Sequence, residues 1–145
     1  MKSRVLVLCT GNSARSQMLH GFLEQDPELE VASAGVAPKG VHPQAAAAMA
    51  EVGVDISYHT SEHVDRYVGD SFDLVVTVCD NAREACPTFP GARRMLHRSF
   101  ADPAGHGDRS AETAAFSTVR DQLREFAGEL RLRLAAVRRP ESPPL

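Results

Sequence analysis

Hydrophobic residues in this chain form short continuous runs that alternate with longer segments of helical periodicity. Runs that predict buried strands lie at 5–8, 30–34, 73–78 and 94–97. Segments that predict helices lie at about 14–25, 44–51, 61–68 and 111–137. Pro43 suits the first turn of the second helix, and Thr60 or Ser61 suits the cap of the third. Strands that alternate with helices indicate a parallel sheet with helices on both faces.

The length of 145 residues fits a single α/β domain, expected over residues 1–138. The last seven residues, 139–145, contain prolines and are expected to form a disordered tail. We expect a four-stranded sheet in the flavodoxin-like order 2-1-3-4, with ligands bound beyond the carboxyl ends of the strands. Cys9 ends the first strand and Cys79 the third, and this order makes those strands neighbours, about 5 Å apart.

The segment between the first strand and the first helix combines a thiol with a guanidinium. It reads Cys9-Thr10-Gly11-Asn12-Ser13-Ala14-Arg15-Ser16. A loop that leads into a helix N-terminus turns backbone N–H groups toward one point, so residues 10–16 are expected to bind a tetrahedral oxyanion. The same N–H groups and Arg15 are expected to lower the pKa of Cys9 below about 8.5. The alternative is a buried core cysteine with Arg15 facing solvent.

Two further groups follow the later strands. Cys79 and Cys86 lie seven positions apart, which in a helix is about 10 Å of axial rise. A disulfide needs Cα atoms within about 7 Å, so their oxidation would require a change of conformation. Asp102, after the fourth strand, is a candidate proton donor to a departing oxygen. Two buried thiols and an ordinary Asp-Pro turn are the alternatives.

Composition narrows the function classes. A net charge of −3 makes nucleic acid an unexpected partner, and three cysteines do not form a structural disulfide framework. The apolar run 5–8 is shorter than the core of a signal peptide, about 7–15 residues, so we expect a cytoplasmic protein without a membrane segment. His59 and His63 are spaced four apart without a third ligand, so solvated or capping roles are expected and no metal site.

Together these motifs resemble the thioredoxin-coupled arsenate reductases, which share the fold of the low-molecular-weight protein tyrosine phosphatases. Beyond the Cys9–Ser16 loop, the resemblance rests on Ser33-Ala34-Gly35, His59-Thr60-Ser61, Val76-Thr77-Val78-Cys79, Cys86-Pro87 and Asp102-Pro103-Ala104. The oxyanion loop is common to reductases and phosphatases. The pair Cys79 and Cys86 belongs to the reductases, and Ala104-Gly105 stand where phosphatases tend to carry tyrosines.

The resemblance implies a catalytic sequence. Cys9 attacks arsenate held by Arg15 and the loop, and Asp102 protonates the departing hydroxide. Cys79 then attacks Cys9 and releases arsenite, which leaves a Cys9–Cys79 disulfide. Cys86 converts this into a Cys79–Cys86 disulfide for thioredoxin to reduce. Phosphate and sulfate are expected to compete with arsenate, and the protein is expected to be a monomer.

The resemblance also raises the question of a cation. Some members of the family bind potassium beside this loop through an acidic residue of the first helix, where this chain has His20. Asn12, Ser33 and Glu62 are the other candidate donors, so no tightly bound cofactor is expected and a potassium site is doubtful. Two other functions stay open: a phosphatase of small phosphomonoesters, and a non-enzymatic sensor of oxyanions or redox state.

Overall fold

A four-stranded parallel sheet forms the centre of the molecule. The computed structural model describes residues 2–80, 89–105 and 107–138, except for the side chain of the last of these. The strands are β1 (Ser3–Leu8), β2 (Leu29–Ala34), β3 (Leu74–Thr77) and β4 (Met95–His97). Their spatial order is β2-β1-β3-β4, and every neighbouring pair is parallel. The expected α/β class and the strand order 2-1-3-4 are therefore confirmed.

Three α-helices of the described residues pack together beside the sheet. They are α1 (Arg15–Leu23), α2 (Pro43–Glu51) and α3 (Arg109–Arg138). Pro43 occupies the first turn of α2, as its fixed φ and missing N–H favour. The long helix α3 contacts both α1 and α2, and α1 also lies against β1 and β2. The helix expected at 111–137 thus forms with nearly the expected bounds.

The segment 61–68 differs from its prediction. The helix here is a single 3-10 turn, Val64–Tyr67, and His63 caps it by accepting a hydrogen bond from the N–H of Asp65. Ser61 caps no helix, because its hydroxyl donates to the backbone carbonyls of Gly11 and Asn12. The residues expected to begin the helix instead support the loop that begins at Cys9.

The central strands, β1 and β3, are almost fully buried. The loops that follow them begin at the same edge of the sheet. Leu8 pairs with Thr77, so Cys9 and Cys79 leave the same end of two adjacent strands. The pairing continues past the strands, since the N–H of Val78 donates to the carbonyl of Leu8. Parallel strands share one carboxyl edge, and candidate catalytic residues from β1, β3 and β4 therefore converge there.

Some expectations fall on residues outside those the structure describes. They are the helical spacing and pairing of Cys79 with Cys86 and the disordered tail at 139–145. Among the described residues, no helix has both the length and the apolar character needed to cross a membrane.

Candidate active site

The side chains of Cys9 and Cys79 meet beneath the loop that joins β1 to α1. Each is only 4% exposed, and their thiols are hydrogen bonded to each other. The N–H of Thr10 donates to Sγ of Cys79 at 3.2 Å, and the Thr10 hydroxyl lies 3.3 Å from the same sulfur. The sheet therefore brings a second thiol to the base of the loop, as the strand order predicts.

Carbonyl groups of the loop that follows Cys9 accept hydrogen bonds from residues outside the loop. Backbone N–H groups of the segment after β2 donate to three of them: Ala37 to Thr10, Lys39 to Gly11 and His42 to Ser13. In a trans peptide the C=O and N–H point in opposite directions, so fixing the carbonyls outward turns the N–H groups inward. Successive inward N–H groups at a helix N-terminus form a concave binding site for an anion.

Asn12 is the most constrained residue of the loop. Its φ is +44°, in the left-handed region that residues other than glycine seldom adopt. Its side chain accepts from the N–H of Glu62 at 2.9 Å and donates to Oγ of Ser16 at 2.9 Å. Its carbonyl accepts from Oγ of Ser61 at 2.9 Å and from Nε2 of Gln17 at 3.0 Å. Together these hydrogen bonds fix the backbone conformation of Asn12 and offset the strain of its positive φ.

Gly35 packs directly against the loop, so a substitution at this position tests whether the loop conformation matters for anion binding. A Cβ there would lie 2.4 Å from the carbonyl oxygen of Thr10 and 2.5 Å from that of Cys9. Gly35→Ala should therefore displace the loop, weaken sulfate binding at least tenfold, and lower the free energy of unfolding by about 1–3 kcal/mol. Sulfate titration and urea unfolding measure the two effects.

Gly69→Ala is the matched control, because no atom lies within 4 Å of the added Cβ and its φ is not in the left-handed region. This variant should bind sulfate and unfold like the wild type. Normal sulfate affinity in Gly35→Ala would show that the loop tolerates displacement and does not bind the anion in the conformation described.

Arg15 and Asp102 are the other predicted catalytic residues that the structure describes. A guanidinium nitrogen of Arg15 donates to the carbonyl of Phe100 at 3.0 Å, and the other terminal nitrogen lies 3.8 Å from Oδ2 of Asp102. Asp102 accepts from the N–H of Ala104 at 3.0 Å, in a turn, and the N–H of Phe100 donates to the carbonyl of Val78, the residue that follows β3. Cys9, Arg15, Cys79 and Asp102 therefore belong to one site.

The expected low pKa of Cys9 is wrong for this arrangement. The hydrogen bond with the Cys79 thiol raises the pKa of Cys9 most, and burial raises it further. Arg15 and the N–H of Thr10 lower that pKa, but by less. Cys9 is therefore held as a thiol, because the hydrogen bond with Cys79 and the burial outweigh the groups that would stabilise its anion.

The residues considered for potassium each have a partner within the protein. His20 Nδ1 is hydrogen bonded to Oγ of Ser33 at 2.7 Å. The side-chain oxygen of Asn12 accepts from the N–H of Glu62, and the Glu62 carboxylate pairs with Arg66 at 2.9 Å. These oxygens are engaged by protein hydrogen bonds, and an imidazole lies where a carboxylate would be needed to balance the charge.

Sequence reasoning missed three polar residues behind the loop. His59 is not solvated as expected: its side chain is 2% exposed and contacts Gln17 and Glu24. Gln17 is fully buried and bonds to the loop. The available signal was a glutamine within the apolar face of α1, because a buried amide must find partners. His63, by contrast, has the capping role predicted for it.

Comparison with known proteins places this site in a family. The profile of the low molecular weight phosphotyrosine protein phosphatases matches residues 4–139. The chain belongs to this family. Among its relatives in the family, an arsenate reductase of Halalkalibacterium halodurans is 42% identical over 125 residues, covering 84% of this chain and 90% of the relative. An arsenate reductase of Bacillus subtilis is 42% identical over 135 residues, covering 88% and 97%.

Solved structures of family members have the same fold. An arsenate reductase in the phosphate binding state has a TM-score of 0.79 and 32% identity, with 92% of this chain and 98% of that chain covered. A low molecular weight protein tyrosine phosphatase from T. tengcongensis has a TM-score of 0.75 at 22% identity, covering 91% and 99%. The second likeness concerns the fold alone. The recognition made from the motifs is confirmed.

Proposed function

We propose that this protein reduces arsenate to arsenite at the loop that begins with Cys9. The observation that carries the proposal is the Cys79 thiol, which is hydrogen bonded to Cys9 and to the loop residue Thr10. Hydrolysis of a phosphoester needs one nucleophile and a proton donor, whereas reduction of arsenic needs two electrons from two thiols. The relatives named arsenate reductase, which match most of the chain, support the same reaction.

In the first step, Cys9 replaces one oxygen of arsenate. The inward N–H groups of the loop and the Arg15 guanidinium hold the other oxygens, as planar paired donors suit a tetrahedral anion. Because the pKa of Cys9 is raised, its proton leaves with the reaction: the thiol and HAsO4²⁻ give a Cys9–arsenate adduct and one water. Asp102, beside Arg15, would deliver the proton that lets hydroxide leave as water.

In the second step, arsenic is reduced. The Cys79 sulfur attacks Sγ of Cys9, the sulfur–arsenic bond breaks, and its electron pair stays on arsenic. Arsenic(V) becomes arsenic(III), and the two thiols become a Cys9–Cys79 disulfide. The hydrogen bond between the thiols places the attacking sulfur beside its target before substrate binds, which reduces the entropic cost of the step.

The disulfide must then be returned to thiols. We propose that Cys86 attacks Cys79, which regenerates Cys9 and leaves a Cys79–Cys86 disulfide for thioredoxin. Such a relay would release Cys9 from the disulfide, and the buried Cys9–Cys79 pair would give a protein reductant poor access. We further propose that the protein acts as a monomer in the cytoplasm, where the reaction would serve arsenic detoxification.

Phosphatase activity is the second candidate. Cys9, Arg15 and Asp102 form the minimal group for hydrolysis of a small phosphomonoester, so a weak side activity is expected. NADPH oxidation with thioredoxin and thioredoxin reductase separates the candidates. Arsenate-dependent NADPH consumption supports the reductase; release of phosphate without NADPH consumption would replace it with a phosphatase, and neither activity would leave an oxyanion or redox sensor.

The role of Asp102 has its own test. Asp102→Asn should slow formation of the arsenate adduct by about 10²–10⁴-fold, since the amide cannot supply a proton. Asparagine keeps the oxygen that accepts from Ala104, so the turn should persist. Single-turnover rapid quench measures the step.

Asp108→Asn is the matched control, because Asp108 caps the start of α3 through the N–H of Ala111. It should leave the rate of adduct formation unchanged. An unchanged rate in Asp102→Asn would reduce Asp102 to a turn residue that orients Arg15.

A further inference from the structure

Two histidines and a glutamate converge at the end of α1. Nε2 of His59 lies 2.6 Å from Oε1 of Glu24, and Nε2 of His20 lies 3.4 Å from Oε2 of the same carboxylate. One ligand atom from each of the three side chains lies within 4.8 Å of the other two. The sequence pairs His59 with His63, but the fold places the ring of His59 against that of His20, with centroids 4.2 Å apart. A set of three ligands is therefore present that sequence spacing does not indicate.

Two segments of the backbone hold these side chains in place. His20 lies in α1, and Glu24 is the residue that follows this helix, four positions further on. Helical residues four apart lie on the same face, so one turn presents both ligands together. His59 belongs to the segment between α2 and β3, where its N–H donates to the carbonyl of Ile56 at 3.0 Å. The three side chains thus join the end of α1 to the segment after α2.

The other ring nitrogens of both histidines have polar partners of their own. Nδ1 of His20 lies 2.7 Å from Oγ of Ser33. Nδ1 of His59 lies 2.9 Å from the side-chain oxygen of Gln17, whose nitrogen donates to two backbone carbonyls. A histidine that ligates a metal usually donates its second N–H to such an acceptor, which fixes the tautomer and the ring orientation. Both rings are therefore held with Nε2 toward the carboxylate of Glu24.

We propose that His20, Glu24 and His59 bind a Zn²⁺ ion through two Nε2 atoms and a carboxylate oxygen, with a water molecule as the fourth ligand. Two imidazoles, one carboxylate and a water are a ligand set that zinc takes in proteins. The side chains of His20 and Glu24 are 15% and 21% exposed, which leaves the site open to a water, whereas His59 is 2% exposed. This site goes beyond the proposed function and does not rest on it.

The donor atoms favour zinc over K⁺ and Mg²⁺. Imidazole nitrogen suits zinc and its neighbours among the transition metals, whereas Mg²⁺ and K⁺ prefer oxygen ligands. The oxygens considered for potassium do not take part, because Ser33 meets Nδ1 of His20 and not the nitrogen that faces Glu24. Zinc has no geometric preference from d electrons, so it adapts to the positions of the three ligands.

Zinc binding needs one small rearrangement. Ligand atoms at about 2.0–2.1 Å from a tetrahedral ion lie about 3.3 Å apart, and His20 and Glu24 already have nearly this separation, at 3.4 Å. The 2.6 Å contact between His59 and Glu24 is a hydrogen bond, which must lengthen by about 0.7 Å as the ion replaces its proton. Binding therefore releases one proton and forms three bonds between the ion and the protein.

Zinc titration of the whole chain, without an affinity tag, tests the site. The background is the triple variant Cys9→Ser, Cys79→Ser and Cys86→Ser, because thiolates also bind zinc. It should take one equivalent of Zn²⁺ from a micromolar chelating indicator, and an excess of K⁺ or Mg²⁺ should not compete. His20→Gln and His59→Gln should each weaken binding by at least about a hundredfold, since loss of an outer partner alone costs about 10–100-fold.

Ser33→Ala tests the outer partner of the site. It removes the group that faces Nδ1 of His20 and should weaken zinc binding about tenfold. His63→Gln is the matched control, since His63 also lies beside a carboxylate, that of Asp65, but does not belong to the three-residue group. It should bind zinc like its parent. Equal zinc affinity in His20→Gln and the background variant would overturn the inference, as would the absence of zinc uptake by a folded background variant.

Zinc should also stabilise the fold, because it joins two segments. Free Zn²⁺ at about a hundred times its Kd should raise the midpoint of thermal unfolding of the background variant by about 5 °C or more, and His20→Gln should abolish this shift. If the variants do not fold, ¹⁵N-histidine spectra of the wild type saturated with zinc decide the question. Zinc should move the Nε2 resonances of His20 and His59 and leave both Nδ1 atoms protonated. Unmoved Nε2 resonances would overturn the inference and leave the proposed reaction of Cys9 unaffected.

Discussion

Cys9→Ser is expected to abolish arsenate reduction and any phosphatase side activity. A serine hydroxyl stays protonated at neutral pH and is a far poorer nucleophile than sulfur. Among the residues that the structure describes, the groups that shift the pKa of Cys9 are Cys79, Arg15 and Thr10, and none of them is a base that would activate a serine. The measurement is NADPH oxidation with thioredoxin, together with hydrolysis of p-nitrophenyl phosphate. We expect both rates to fall to background.

A binding measurement distinguishes lost chemistry from a lost site. The loop N–H groups and Arg15 remain in Cys9→Ser, so sulfate should still bind. Appreciable steady-state reduction of arsenate by this variant would remove Cys9 from its role as nucleophile. Cys79→Ser complements it, because that variant keeps Cys9 and should retain phosphatase side activity.

The second large effect concerns the thiol relay. Cys79→Ser should form the arsenate adduct and release no arsenite, since no thiol beside Cys9 would attack its sulfur. Cys86→Ser should release one equivalent of arsenite and then stall as a Cys9–Cys79 disulfide. Quantification of arsenite per enzyme, with mass spectrometry of disulfide-linked peptides after one turnover, measures both outcomes.

These two variants fail at different steps, which makes the relay falsifiable. If Cys86→Ser turned over repeatedly with thioredoxin at the wild-type rate, a two-thiol scheme would replace the relay. If Cys79→Ser released a full equivalent of arsenite, the thiol next to Cys9 would not be the reductant. Serine can still accept the hydrogen bond from Thr10, so loss of loop geometry is not expected to confuse the result.

The thiol of Cys79 has two consequences for Cys9. Before substrate binds, this thiol raises the pKa of Cys9, and under the proposed function it is the group that attacks once the adduct has formed. A buried thiol that stays protonated reacts slowly with adventitious oxidants and electrophiles, because the thiolate is the reactive species. Under the proposed function, the pairing would therefore protect the nucleophile as well as supply the second electron donor.

Local patterns in the sequence were sufficient to predict the architecture and to recognise the family. Apolar runs and helical periodicity indicated the sheet, and its order placed Cys9 and Cys79 together because adjacent parallel strands end at one edge. The spacing of Cys9 and Arg15 indicated an oxyanion loop because both lie on one short segment whose geometry follows from the strand and helix around it. Such features depend on neighbours in sequence or on simple strand topology.

Contacts between distant segments were decided only by the tertiary structure. The direction of the Cys9 pKa shift depends on a thiol 70 residues away and on burial, neither of which a local motif contains. Likewise, Gly35 meets the loop through a close backbone approach. His59 is hydrogen bonded to Gln17 of α1, which contacts the loop, and to Glu24, the residue that follows α1. Hydrogen bonding and desolvation act over a few ångströms in space, so the sequence determined which groups are present, and the packing of the chain decided their partners and protonation.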